Sequence, residues 1–314
     1  MEGTVVRNTG SRYAVLVDNS GEIIQCAAKG NFRIQGLRTT NPVAVGDRVV
    51  VVMPPSGKES DGALISRVLP RKNYIIRRAS NLSKEAHIIA SNIDCAMLVV
   101  SLVNPTTSTT FIDRFLATAA AYDIPARIVV NKTDLLTEPD DVELLEAFSA
   151  LYNSIGYPVT ALSARTGDGV QQLGNILKDK ITLLSGNSGV GKSSLINRLI
   201  PNLDLKTAEI SDVHNTGMHT TTFSEMFQLP QGGWIIDTPG VKGFGTLEMD
   251  KREIDHFFPE IFETSRHCRF GDCSHTTEPG CAVKEALEEH RIAQSRYASY
   301  LSILEEALSA SKYR

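Results

Sequence analysis

Short runs of alternating or β-branched residues occupy the first 70 positions of the chain. They are separated by clusters of turn-forming residues such as DNSGE and PPSGKESDG. Alternation and β-branching favour strands, whereas Gly, Pro, Asn and Asp favour the turns between them. Five such runs are present: TVVRN, YAVLVD, IIQCAA, RVVVVM and GALISRVL. Five strands in so short a segment predict a small OB-type β-barrel over residues 1–70, with or without a ligand of its own.

The pattern changes near residue 88, where apolar strand-like runs begin to alternate with stretches of helical periodicity. The strand-like runs are IDCAMLVVS, ARIVVNKTD, YPVTALSAR, ITLLSGNSG and GWIIDTPG. Strands that alternate with helices are typical of a parallel α/β sheet. We therefore predict a central α/β domain over residues 71–247.

Strand signals stop after residue 247. The segment MDKREIDHFFPEIF is amphipathic, and the run from Cys281 to Leu308 indicates two further helices. These features predict a third, helical domain over residues 248–314.

Composition excludes several protein classes. The 314 residues are 42% hydrophobic and 22% charged, which is ordinary for a globular protein and rules out a disordered, collagen-like or coiled-coil chain. No apolar run reaches the roughly 18 residues of a membrane-spanning helix, and the first residues lack the layout of a signal peptide. We expect a cytoplasmic protein without membrane contact. Nothing resembles a dedicated dimer helix, so we also expect a monomer.

Charge is unevenly distributed along the chain. The net charge of −4 argues against a globally basic nucleic-acid binder, yet residues 1–78 hold 12 basic and 6 acidic residues, against 20 and 30 in the rest. This is either chance variation or the mark of an N-terminal module that faces a polyanion. Residues 67–78 carry five basic residues around Tyr74, and form either a solvated linker or an RNA contact.

A glycine-rich segment follows the apolar run ITLLS and opens a helix. It fits the pattern G-x-x-x-x-G-K-[ST] in the strand–loop–helix context that a phosphate-binding loop requires. Its backbone N–H groups and the helix N-terminus can hold phosphate oxygens, while Lys192 is expected to reach the β- and γ-phosphates and Ser193 to bind Mg²⁺. The expected contacts are Gly186, Asn187, Ser188, Gly189, Val190, Gly191, Lys192, Ser193 and Ser194.

A second phosphate-side motif, Asp237-Thr238-Pro239-Gly240, ends the strand-like run GWIID. An Asp that ends a strand beside a phosphate-binding loop can hold Mg²⁺ directly or through water. The Gly240 N–H can then meet the γ-phosphate. We expect Asp237 to share the magnesium ion with Ser193.

Base selection is the chemistry of Asn131-Lys132-Thr133-Asp134, which ends the run ARIVV. The Asp134 carboxylate can accept the N1–H and N2 amino hydrogens of guanine; adenine lacks this donor pair and would leave the carboxylate unpaired. Asn131 can contact the other edge of the base, and the Lys132 stem its face. Ser163-Ala164-Arg165 closes a later strand, where the Ala164 N–H can meet the guanine O6.

Three cysteines and a histidine cluster near the C-terminus as Cys268, Cys273, His275 and Cys281. In a cytoplasmic protein such a cluster indicates metal before disulfide. Three thiolates and one imidazole suit one tetrahedral, structural Zn²⁺ with no open position for water. Neighbouring His267 is a substitute ligand, and free thiols in a loop are the alternative.

The order of these motifs is unusual. Ordinary GTPases place the phosphate loop first and the base-reading loops last, whereas here NKTD and SAR precede the phosphate loop. This is a circular permutation of the same sheet. Together with an N-terminal barrel and a C-terminal Cys/His cluster, it closely resembles the RsgA (YjeQ/YloQ) GTPase family over nearly the whole chain. The resemblance implies slow GTP hydrolysis, stimulated by the small ribosomal subunit, in late maturation of that subunit.

A switch-like segment, Gly217-Met218-His219-Thr220-Thr221-Thr222, lies between the phosphate loop and DTPG. One threonine there should close over Mg²⁺ and the γ-phosphate. The sequence alone does not show which of the three it is, and the resemblance favours Thr220.

Val241 occupies the position at which Ras-like enzymes have a Gln that orients the attacking water. Because Val241 cannot hydrogen-bond water, we expect either slow intrinsic hydrolysis or another residue that orients the water. His219 is the best candidate for that residue, because neutral imidazole can orient water. The resemblance also points to His219, which otherwise faces solvent without a role.

Three functions compete. The first is a GTPase that binds GTP and GDP and matures the small ribosomal subunit, with the barrel bound to rRNA. In this function the zinc domain moves with the state of the nucleotide, because DTPG leads directly into that domain. The second is an RNA-binding scaffold whose nucleotide is structural. The third, a metabolic P-loop ATPase or kinase, is opposed by the guanine-selective NKTD motif. The complete set of base, phosphate and switch motifs favours the first.

Overall fold

A computed structural model describes most of the chain. Its described residues are 1–10, 12–28, 43–53, 62–78, 86–201, 203, 225–237, 250 and 252–312. Within them no helix is long and apolar enough to cross a membrane.

The N-terminal part is a closed barrel of five strands, as the alternating pattern predicts. The strands are β1 (Glu2–Asn8), β2 (Tyr13–Val17), β3 (Ile23–Ala28), β4 (Arg48–Val52) and β5 (Ala63–Val68). Their order is β1-β2-β3-β5-β4, and β4 pairs back onto β1 to close the barrel. Only the β3–β5 pairing is parallel. Inward-facing Val5, Val15, Val49 and Ile65 are fully buried, so the OB-type prediction is confirmed.

The basic segment after the barrel is not a free linker. Residues Tyr74–Arg78 form β6, which pairs with β7 (Ala86–Ser91) in a separate hairpin. Arg71 is anchored before it, because its guanidinium binds both oxygens of buried Asp47 at 2.6 Å. Ser91 donates to the same carboxylate, also at 2.6 Å. Arg71 therefore serves the junction between barrel and hairpin, which corrects the solvated-linker alternative for this residue.

The central part is a mostly parallel sheet. Its strands are β8 (Cys95–Val100), β9 (Ala126–Val130), β10 (Val159–Ala161), β11 (Ile181–Ser185), β12 (Glu225–Gln228) and β13 (Trp234–Asp237). The order is β10-β9-β8-β11-β13-β12, with only the edge strand β12 antiparallel. Strand β12 meets β1 of the barrel at the pair Arg7–Glu225, which also forms a salt bridge.

Helices cover both faces of this sheet. They are α1 (Thr109–Ala121), α2 (Pro139–Ser154), α3 (Val170–Leu177) and α4 (Lys192–Leu199). Apolar residues of α1 and α2 pack on one face, and those of α3 and α4 on the other. This three-layer arrangement places the loops that carry chemistry at the carboxyl edge of the strands, where α/β sheets bind ligands.

The C-terminal part is helical and packs on α1. It contains a 3₁₀ turn at Ile254–Phe257 and helices α5 (Pro259–Ser265), α6 (Ala282–Glu288) and α7 (Gln294–Lys312). Its buried core includes Ala117 of α1 beside Ile254, Phe258 and Tyr300. The helical prediction for this part is confirmed, while the three domain boundaries remain predictions.

Candidate nucleotide site and metal centre

The sequence motifs meet at one edge of the sheet because they follow neighbouring parallel strands. The phosphate loop follows β11, Asp237 ends β13, NKTD follows β9 and SAR follows β10. Leu184 of β11 lies level with Asp237 in the parallel register. Loops on four strands thus surround a common space at the carboxyl edge.

Glycine is required at two phosphate-loop positions. Gly186 and Gly191 adopt φ angles of 149° and 92°, which other residues rarely adopt. A Cβ at Gly186 would lie 2.3 Å from the carbonyl oxygen of Val99, and one at Gly191 would lie 2.4 Å from Nδ2 of Asn131. Buried Val190 anchors the loop in the core below, while Ser188 and Gly189 are exposed and Asn187 is half-buried.

Lys192 folds back over the phosphate loop. Its Nζ donates to the carbonyl oxygens of Gly186 at 2.6 Å and Asn187 at 2.8 Å. Burial lowers the pKa of Lys192 below its ordinary value, and the Asp237 carboxylate opposes this shift. Ser193 and Ser194 follow in the first turn of α4, both half-buried. A hydroxyl and a carboxylate at neighbouring loop and strand ends are the hard oxygen donors that Mg²⁺ prefers, so Ser193 and Asp237 fit that ion chemically.

Asn131 joins the phosphate side of the site to the base side. It is 3% exposed; its Nδ2 donates to the Val190 carbonyl at 2.9 Å, and its Oδ1 accepts from the Ala164 N–H at 2.9 Å. Both side-chain atoms expected at the base, and the Ala164 N–H as well, are engaged within the protein. The sequence pattern did not indicate this bridging contact.

Asp134 is held by the SAR loop. The hydroxyl of fully buried Ser163 donates to Asp134 Oδ1 at 2.6 Å, and the exposed Arg165 approaches Oδ2 at 3.5 Å. Thr133 begins a 3₁₀ turn, and Lys132, at φ 67°, donates through Nζ to the Asn104 carbonyl. Ser163 thus orients a carboxylate in this structure, a role the sequence analysis did not assign.

The structure does not describe three of the expected site residues. His219, Thr220 and Gly240 lie outside the described residues, as do Val241 and the rest of the segment that leads into the C-terminal part. Their assignments stay predictions.

The structure brings the four ligand atoms of the Cys/His cluster together. The ligand atoms of Cys268, Cys273, His275 and Cys281 all lie within 4.8 Å of one another. His275 Nδ1 is 3.6 Å from the sulfur of Cys268 and 3.5 Å from that of Cys281, and these two sulfurs are 3.9 Å apart. A zinc tetrahedron has edges of about 3.5 Å between S and N and about 3.8 Å between sulfurs, given its bond lengths. All four donors therefore fit zinc in chemistry, and Cys268, His275 and Cys281 also fit it in spacing.

The loop that carries His275 is fixed from two sides. Tyr297 and Tyr300 of α7 donate to the carbonyls of His275 and Ser274 at 2.6 and 2.9 Å. Glu278 accepts from the backbone N–H groups of Ser274, Thr276 and Thr277 at 2.8–3.0 Å. Burial acts to raise the pKa of Glu278, but hydrogen bonds from Ser274 and Thr276 outweigh it and lower this pKa to about 2. The ligands are thus prepositioned by their surroundings.

Fold and site together define a class of protein. The chain is a P-loop GTPase whose base-reading strands precede its phosphate strand, so the domain is circularly permuted, with a barrel before it and a possible metal site after it.

Comparison with known proteins narrows this class. The RsgA GTPase profile matches residues 68–247, and the RsgA N-terminal domain profile matches residues 2–59. A Bacteroides fragilis (strain YCH46) protein named small ribosomal subunit biogenesis GTPase RsgA is 57% identical over 314 residues, covering 100% of this chain and 99% of the relative. The chain belongs to the RsgA GTPase family.

Solved structures share the whole architecture. The crystal structure of YjeQ from Thermotoga maritima superposes with a TM-score of 0.78 at 35% identity, over 98% of both chains. YloQ, described as a circularly permuted GTPase, gives 0.75 at 31% identity, over 98% of this chain and 95% of its own. The permutation expected from motif order is therefore confirmed.

Proposed function

We propose that this protein hydrolyses GTP during late maturation of the small ribosomal subunit, and that the subunit stimulates the reaction. The observation that carries the nucleotide part is the convergence of four motif loops, with Asn131 tying the phosphate loop to the base loop. The relatives named small ribosomal subunit biogenesis GTPase support the ribosomal part. Such a role places the protein in the cytoplasm.

The residues divide the work by chemistry. Lys192 and the loop N–H groups bind the phosphates, Ser193 and Asp237 hold magnesium, and Asp134 reads the guanine edge. Magnesium supplies charge neutralisation at the phosphates when it is bound. His219 orients the attacking water, and Thr220 closes over the γ-phosphate. Lys192 would exchange its carbonyl partners for phosphate oxygens, which are stronger acceptors.

The barrel is proposed to contact rRNA. Support comes from the excess of basic residues in 1–78 and from the OB topology, which is widely used for nucleic-acid binding. Several barrel cations are already paired, since Arg48 binds Asp18 and Arg7 binds Glu225. Binding would therefore rest on the net positive potential rather than on these two arginines.

The Cys₃His cluster is proposed to hold one structural zinc ion. Four protein ligands leave no position for water, so zinc stabilises the fold and takes no part in hydrolysis. The C-terminal part then offers a second, rigid surface to the subunit.

The zinc domain is proposed to move with the state of the nucleotide. Buried apolar contacts tie it to α1, and separating the two would expose this shared core to water. The movement is therefore expected to carry α1 along. FRET between α1 and the zinc domain should stay constant between a GTP analogue and GDP, while FRET between the zinc domain and the barrel changes. Identical positions in both states, even on the ribosomal subunit, would refute the movement.

Nucleotide competition tests the binding site directly. Fluorescent GDP should be displaced by GTP and GDP but not by excess ATP. Asp134→Asn should lose this preference for guanine, because an amide cannot accept both hydrogens. Displacement by ATP would favour the kinase or ATPase class. Salt-sensitive RNA binding that ignores the nucleotide state would favour the scaffold.

A further inference from the structure

The last turn of α4 reaches the base-reading loop. Arg198 lies there, one turn and a half after Lys192 on the helix that begins at the phosphate loop. Its Nε donates to the carbonyl oxygen of Ala164 at 3.1 Å, and its Nη2 donates to that of Arg165 at 2.8 Å. One guanidinium thus binds two successive carbonyls of the loop that carries Ser163.

These two bonds hold a loop on which Asp134 depends. Ser163 precedes the two carbonyls directly, is fully buried, and donates to Asp134 Oδ1 at 2.6 Å. The same hydroxyl accepts from the Thr166 N–H at 3.1 Å, which closes the turn around it. If the Ala164 and Arg165 peptide groups shifted, the hydroxyl that orients Asp134 would shift with them.

We infer that Arg198 is a positioning residue for guanine selection. It acts through Ser163 and Asp134 and does not itself touch the nucleotide. Asn131 links the Val190 carbonyl, two residues before α4 begins, to the Ala164 N–H. Arg198 links the last turn of α4 to the carbonyls of Ala164 and Arg165. The helix that binds phosphate is therefore clamped at both ends to the loop that supports the base reader, so that the base pocket is formed before the nucleotide arrives. Charge assistance makes the Arg198 bonds stronger than neutral ones.

The inference rests on the proposed guanine site, and the ratio of GDP to IDP affinity tests it. IDP lacks the 2-amino group, so the ratio reports how well Asp134 is oriented toward that group. Arg198→Ala is expected to weaken GDP about tenfold and IDP only about threefold, so the ratio falls about threefold, as expected for a poorly oriented hydrogen bond to a carboxylate. Arg198→Lys keeps the charge but not the fork, and should give an intermediate ratio.

Lys178→Ala is the matched control, because it removes one exposed positive charge at the end of neighbouring α3. It should leave both affinities unchanged. Thermal melts show whether each variant is folded. If Arg198→Ala does not fold, the ratio of GDP to IDP affinity is measured with Arg198→Lys instead. An unchanged ratio, or an equal loss for GDP and IDP, would overturn the role of Arg198. A wild-type protein that binds GDP, IDP and ADP alike would instead overturn the proposed guanine site.

Discussion

Arg296 of α7 donates a hydrogen bond of 2.8 Å to Asp113 of α1, and the two side chains are 1% and 0% exposed. Arg296 also binds Glu260 of α5 at 2.6 Å, while Tyr152 of α2 donates to Asp113 at 2.9 Å. The C-terminal helices are therefore joined to the sheet domain by a buried ionic network. A guanidinium with two carboxylate partners can be buried because its donors are satisfied.

Removal of Arg296 should destabilise the protein strongly. Arg296→Met leaves Asp113 and Glu260 buried without their cation, and we expect a loss of about 3–5 kcal/mol in the free energy of unfolding. Urea unfolding measures it. Arg252→Met is the control, since Arg252 is exposed and water screens its pair with Asp250, so its loss should change stability little. Equal losses of unfolding free energy in the two variants would show that the buried network does not stabilise the protein more than an exposed ion pair does.

Purified protein should contain one equivalent of zinc. Cys281→Ser is expected to lose most of it, because an alcohol is a poor zinc ligand, whereas Cys95→Ser outside the cluster should retain it. Elemental analysis and chelator competition measure both. Less than half an equivalent of zinc in an intact, folded sample would refute the structural site.

Local patterns predicted most of the elements and much of the site. The barrel strands and the alternating α/β order follow from periodicities of two and 3.6. The phosphate loop follows from glycines such as Gly186 and Gly191, which are needed where a Cβ would collide. Likewise, Cys268, Cys273, His275 and Cys281 are brought together by a short, local segment.

Contacts between distant segments were not predictable in the same way. Asp113 and Arg296 are 183 positions apart, and Asp113 has the pattern of an ordinary polar residue on an amphipathic helix. The strand Tyr74–Arg78 is not evident from the sequence because the basic residues in and before it resemble a solvated linker. Asp47, which binds Arg71 just before this strand, lies in the barrel. Asn131 has the motif of a base contact, yet its amide also supports two backbone groups.

The barrel should lose stability at alkaline pH through Cys26. Burial raises the pKa of this thiol from 9.0 to about 11, so the folded state favours the protonated form. Its contribution is complete below pH 9 and is lost as the pH rises toward about 11. Cys26→Ala lacks this titration, so the stability difference between wild type and variant should shrink by about 1–3 kcal/mol across that range. Urea unfolding measures this difference; a difference between wild type and Cys26→Ala that stays constant from pH 7.5 to 10.5 would exclude the effect.

His219→Ala should abolish stimulated turnover and spare nucleotide binding. The imidazole is proposed to orient water in the step after binding, so KM for GTP should change little while kcat falls. Single-turnover hydrolysis on small ribosomal subunits and fluorescent-GDP titration separate the two quantities. Unchanged stimulated hydrolysis in this variant would end the proposed role of His219.

GTP hydrolysis with and without purified small ribosomal subunits, in the presence of excess ATP, tests the central claim most directly. We expect the subunits to raise the rate at least about tenfold, equivalent to lowering the activation free energy of the subunit-bound enzyme by about 1.4 kcal/mol, and we expect that ATP does not suppress it. Hydrolysis that the subunit leaves unchanged would contradict the ribosomal role. Hydrolysis that ATP suppresses would contradict the guanine site built around Asp134.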